Sequence, residues 1–105
     1  MANNESAPDV TTLRDALREV IDPEAGMNIV DLGLIYSIEV SADAVIVEMT
    51  MTSPACPMGE MICAEVAEIL QDLLPDTLRP EVRLVWSPAW SPALMSEEAR
   101  QHFGW

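Results

Sequence analysis

The stretch AVIVEMTMTSPACPMGEMICAEVAEIL, Ala44–Leu70, changes its hydrophobic period partway along. Over Ala44–Thr52 the apolar residues alternate, so Val45, Val47, Met49 and Met51 share one face of a strand. From Pro57 the spacing becomes helical, and Ile62, Val66, Ile69, Leu70 and Leu73 make one apolar stripe that stops at Pro75. Glu65, Glu68 and Asp72 fall on the opposite, solvated side. The chain therefore predicts a strand running directly into a helix.

The junction of the two carries Cys56. Pro57 suits a first helical position, so Cys56 reads as the helix cap. A thiol there lies beside unsatisfied backbone N–H groups and the positive end of the helix dipole, which favours the thiolate. A thiolate can attack an electrophile or bind a soft metal, and an inert structural cysteine is an equal reading of the residue alone. Cys63, seven residues on, would sit about 10 Å further up the axis. Two sulfurs on one zinc stand only about 4 Å apart, so the pair is no chelate and Cys63 reads as a small buried residue.

Working outward from this stretch, LIYSIEV (Leu34–Val40) precedes it and is joined to it by Ser41, Ala42 and Asp43, an antiparallel hairpin. Upstream, Leu13, Ala16, Leu17, Val20 and Ile21 recur with helical spacing from Thr12, which is positioned to cap them. Pro23 ends that helix near Ile21 and leaves DPEAGMNIVDLG as a loop of twelve residues. Downstream, EVRLVW (Glu81–Trp86) alternates as a strand, and a strand–helix–strand passage makes a parallel crossover. Ser96 followed by Glu97 and Glu98 predicts a short capped final helix. Residues 1–10 read as a flexible leader and 11–105 as one domain. The fold class expected is α/β of the α+β kind: helix, hairpin, helix, strand, with the helices mainly on one face of a small mixed sheet.

With 105 residues, half of them hydrophobic, the chain suits one core. Its formal net charge of −13 opposes phosphate backbones and anionic lipid surfaces, so neither nucleic acid nor membrane is an expected partner. No apolar run of membrane length and no signal-peptide pattern occurs, and the protein reads as cytoplasmic with reduced thiols. No glycine-rich phosphate cradle is present.

Other chemistry-bearing residues are few. Asp22, Glu24 and Asp31 in the long loop are candidates to accompany Cys56, or are turn-forming residues; Gly33 permits a tight entry into the hairpin. Met49, Met51, Met58 and Met61 cluster at the strand–helix junction and read as core. His102, the one histidine, reads as surface. Trp86, Trp90 and Trp105 either anchor the tail on the domain or face a partner.

Taken together, VIDPEAGMNIVDLGLIY, MTMTSPACPMG and VRLVWSPAWSPALMSEEAR resemble the metal–sulfur cluster biosynthetic protein family, with SufT-type and PaaD-like maturation factors among its members. The resemblance runs from about Leu13 through the last residue. It implies the iron–sulfur cluster assembly domain fold and a maturation role as carrier or adaptor for client apoproteins, alongside other assembly proteins. Cys56 corresponds to the family's reactive cysteine, which binds iron or a labile cluster transiently, with Asp22, Glu24 and Asp31 nearby and Thr52 and Pro57 framing it. No zinc is expected, because the cysteine-rich segment of longer PaaD-like members has no counterpart here. Clusters usually take up to four thiolates, so a homodimer, a partner protein or a small thiol must supply the rest. A metal-free adaptor, with Cys56 only a cap, and a thiol redox enzyme are the rival readings.

Overall fold

The structure is a computed structural model that describes residues 9–52 and 59–104. Expectations for residues 1–8, for Ser53–Met58 with Cys56, Pro57 and Met58, and for Trp105 lie outside the described residues. The chain forms a mixed α+β fold.

Helix α1, Val10–Ala16, starts earlier than the sequence predicts. Its cap is Asp9, whose carboxylate accepts the Thr12 N–H at 2.8 Å, so Thr12 is a donor in the first turn and not the cap. The helix also ends earlier, tightening into a 3-10 turn at Leu17–Glu19. Leu13, Leu17 and Val20 are buried as expected, but Ile21 has left the helical face and stands exposed.

The expected twelve-residue loop is partly organised. Ile21–Asp22 (β1) pairs antiparallel with Met27–Asn28 (β2), and the Ile29 N–H closes on the Val20 carbonyl at 3.0 Å. Two-residue strands carry no readable period, which is why the sequence shows only a loop here.

The main sheet has three strands in the order β3 (Ile35–Val40), β4 (Ala44–Met49), β5 (Arg79–Leu84). β3 and β4 form the expected antiparallel hairpin, with a register shift between Ile35 and Ser37. β5 runs parallel to β4 and starts two residues before its predicted Glu81, its register set by Val45 opposite Pro80, Val47 opposite Val82 and Met49 opposite Leu84. Pro80 is tolerated because β5 is an edge strand.

Helix α2 is described over Gly59–Leu73 and packs on β5, while α1 packs on β3 and α2. Val45, Val47, Met49 and Met51 point into the core, where they meet Ile62, Val66 and Leu70 of α2 and Leu13 and Leu17 of the first helix. Two assignments on α2 differ from the sequence reading. Leu74, beyond the described helix, is buried and Leu73 is exposed; Met61 is on the solvent side and is no core residue. α3, Glu97–Phe103, is capped as expected, Ser96 Oγ accepting the Ala99 N–H at 3.1 Å. Among the described residues no helix is long and apolar enough to cross a membrane.

Candidate functional site

Three strand termini meet at one end of the sheet. Met49 at the close of β4 lies opposite Ile35 at the opening of β3 and Leu84 at the close of β5. Backbone bonds extend this end: the Thr50 N–H donates to the Leu34 carbonyl (2.9 Å) and the Val85 N–H to the Met49 carbonyl (2.8 Å). The described start of α2 is there too. Gly59 is buried, and a Cβ added to it would stand 3.5 Å from Met51 Cγ and 4.0 Å from Leu84 Cδ2. The chain is described up to Thr52, half-buried, and again from Gly59, and Met51 and Gly59 stand together at this end.

The loop before β3 is held by Asp31. Its Oδ1 accepts Arg18 Nη1 at 2.7 Å and its Oδ2 accepts Asn28 Nδ2 at 2.8 Å, while Asn28 Oδ1 accepts the Asp31 N–H at 2.9 Å. Burial disfavours the Asp31 charge, but hydrogen bonds from Asn28 and Arg18, the positive charge of Arg18 and a bond from Ser96 outweigh it and hold the carboxyl below its ordinary range. Asp31 thus ties the first helical segment, β2 and the start of α3 together, since its carbonyl also accepts the Ser96 N–H at 2.8 Å.

Asp22 is almost fully buried and builds a turn. Its Oδ1 accepts the Glu24 N–H at 2.9 Å, and its carbonyl accepts the Gly26 N–H at 2.7 Å. Glu24 is exposed on that turn. Among the described residues no three His, Cys, Asp or Glu side chains converge as a metal site.

The tail crosses this end of the molecule as a strap. Tyr36 Oη donates to the Pro88 carbonyl at 2.7 Å, and Trp90 Nε1 donates to the Leu32 carbonyl at 2.7 Å. Gly33 adopts φ +82°, and a Cβ there would overlap the Leu94 carbonyl. Trp90 therefore anchors the tail, whereas Trp86 is 45% exposed. The tail contacts join partners more than fifty residues apart and the Arg18 contact joins partners 13 apart, and sequence reasoning has no signal for either. Under the strap's end of the sheet, Thr50 is fully buried and its Oγ1 has no hydrogen-bond partner among the described residues.

Cys63 is half-buried on α2, and burial, then the negative charge of Glu60, push its thiol up. His102 is exposed and meets Phe103 edge to face at 5.0 Å.

Residues 11–79 match the family model described as iron–sulfur cluster assembly protein. The chain belongs to that family. Within the iron–sulfur cluster assembly proteins it is similar to the Fe-S protein maturation auxiliary factor SufT of Staphylococcus aureus, 44% identical over 86 residues that cover 81% of this chain and 97% of the relative. The Fe-S protein maturation auxiliary factor YitW of Bacillus subtilis is 41% identical over 90 residues, 85% of this chain and 87% of that one. A crystal structure of a domain of unknown function, DUF59, from Bacillus anthracis superposes with a TM-score of 0.83 at 39% identity, covering 90% of both chains. The assembly-family fold expected from DPE, DLGL and the Cys-Pro junction is thereby the fold observed.

Proposed function

We propose that this protein serves the maturation of iron–sulfur proteins, taking iron or a labile cluster as cargo on Cys56 and delivering it to a client apoprotein. Membership of the iron–sulfur cluster assembly family supports the general role. The finer reading rests on one observation. Met51 and Gly59, described on either side of the Cys56 stretch, stand together at the end of the sheet where β4 and β5 close. On the sequence reading, a cysteine preceding Pro57 gains thiolate character from the α2 dipole.

Asp22 and Asp31 support the cargo site indirectly. Both Asp31 oxygens are already engaged by Arg18 and Asn28, and Asp22 Oδ1 is engaged by the Glu24 backbone. Their contribution is to set the loops around the site, while Cys56 supplies the protein's thiolate. One thiolate leaves a cluster incompletely held, which suits transfer better than storage.

The test is anaerobic reconstitution with iron and sulfide of the native chain and Cys56→Ser, reading bound iron, acid-labile sulfide, visible absorption and transfer to an apo-ferredoxin. Serine is a good helix cap, so the variant keeps its fold. Uptake and transfer lost in Cys56→Ser are expected. Equal uptake by both proteins overturns Cys56 as the cargo ligand, and uptake by neither overturns the carrier reading and leaves a metal-free adaptor.

A further inference from the structure

Eight large apolar side chains stand exposed among the described residues, and they are not evenly spread. Val10, Val40 and Leu73 lie at the far end, by the start of α1, the hairpin turn and the close of α2. The other five, Ile21, Met61, Leu84, Trp86 and Leu94, belong to the end where the Cys56 segment is attached. Leu84 is at the close of β5 against Gly59, and Trp86 follows it past the Val85–Met49 bond. Met61 is in the first described turn of α2. Leu94 rides on Gly33, and Ile21 follows the Arg18 segment that Asp31 grips.

The unpaired charged groups around these side chains are mostly carboxylates. Glu19, Glu60, Glu97 and Glu98 are exposed there, and none has an ion pair among the described residues. Of the cations near this end, Arg18 is engaged by Asp31 and Arg83 by Glu81, each at 2.7 Å, and Arg100 on α3 is exposed with no ion pair among the described residues, one free cation against four such carboxylates. An apolar surface rimmed by unpaired carboxylates selects against an acidic partner and for one whose apolar contact is flanked by positive charge.

We propose that this end is the docking surface for the client, and that the client presents an apolar side chain between lysines or arginines. The proposal rests on the maturation reading and names the partner of that site. Trp86 and Leu84 are its apolar centre, while Trp90 is committed to the strap and contributes no contact to the client.

The test uses the full chain and a labelled peptide alternating leucine with lysine, with the same peptide carrying glutamate for lysine as control. Binding is followed by fluorescence anisotropy and by amide and methyl chemical shifts. The lysine peptide is expected to bind, to shift Ile21, Met61, Leu84, Trp86 and Leu94, and to release as salt rises. Trp86→Ser and Leu84→Ser are each expected to weaken it about tenfold. Val40→Ser, at the far end, is expected to leave it unchanged. No binding, shifts centred on the outer face of α2 or on the hairpin turn, or equal losses in Trp86→Ser and Val40→Ser overturn the proposal. Cys56→Ser is expected to bind the peptide as the native chain does, so failure of docking and failure of cargo uptake are read separately.

Discussion

Leu94 lies with its carbonyl directly over Gly33, whose φ is +82° and which has no side chain to meet the tail. The two residues fit because one has no side chain. Alanine at position 33 would pay twice. The left-handed backbone costs roughly 1–2 kcal/mol for any L side chain, and the new Cβ would displace the strap. Gly33→Ala is therefore expected to lower the thermal midpoint and to alter the near-ultraviolet dichroism of Trp90, whose bond to Leu32 depends on the same seating. A variant with native midpoint and native tryptophan signal would show that the strap is not seated this way.

Asp31 makes an acid-sensitive contribution to stability. Its folded-state carboxyl is held below its ordinary range, so the stabilisation is complete above the unfolded value, near pH 4, and is lost as pH falls through the lower folded value. Asp31→Asn removes the charge that Arg18 pairs with and is expected to cost about 1.5–3 kcal/mol at pH 7. Urea titrations of both proteins at pH 7 and pH 3 should show a gap that narrows in acid. A gap that is constant across that range would mean the ion pair contributes nothing.

Thr50 gives an expectation of opposite sign. Its hydroxyl is buried without a partner among the described residues, and valine has the same shape without the polar atom. Thr50→Val is expected to raise stability by about 1 kcal/mol, read from the urea midpoint. Loss of stability instead would reveal a partner for the hydroxyl.

The two thiols are expected to differ in reactivity. Burial and Glu60 raise the Cys63 thiol, while on the sequence reading the helix N-terminus favours the thiolate at Cys56. Iodoacetamide at pH 7 should label Cys56 first and Cys63 only slowly, the second rate climbing toward alkaline pH. Peptide mass mapping over time distinguishes them; equal rates would remove the case for an activated Cys56.

The hairpin, the α2 stripe and the Ser96 cap were legible in the sequence because each is encoded by residues within one or two turns of each other. Where the signal was local but ambiguous, it slipped by a small step: Asp9 caps α1 in place of Thr12, and Leu74 is buried in place of Leu73. The β1–β2 ladder was illegible since two residues cannot express a period. The site shows the same division. The Asp22 and Asp31 loops could be placed from Pro23 and Gly33, but Arg18 against Asp31 and Trp90 against Leu32 are decided by packing between distant segments. Met61 looked like a neighbour of Met49 and Met51, yet helical rotation carries it to the other side of α2.

The strap also orders events in time. Tyr36 meets Pro88 across 52 residues of chain and Leu32 meets Trp90 across 58, whereas the hairpin closes within a few residues. Contacts so distant form late, after the local elements have paid the entropy of bringing their ends together. On the ribosome, the loop of Asp31 and Gly33 is left unclamped until residues 88–96 emerge. The newborn chain thus acquires its sheet first, and the strap that closes over the loop of Asp31 and Gly33 last.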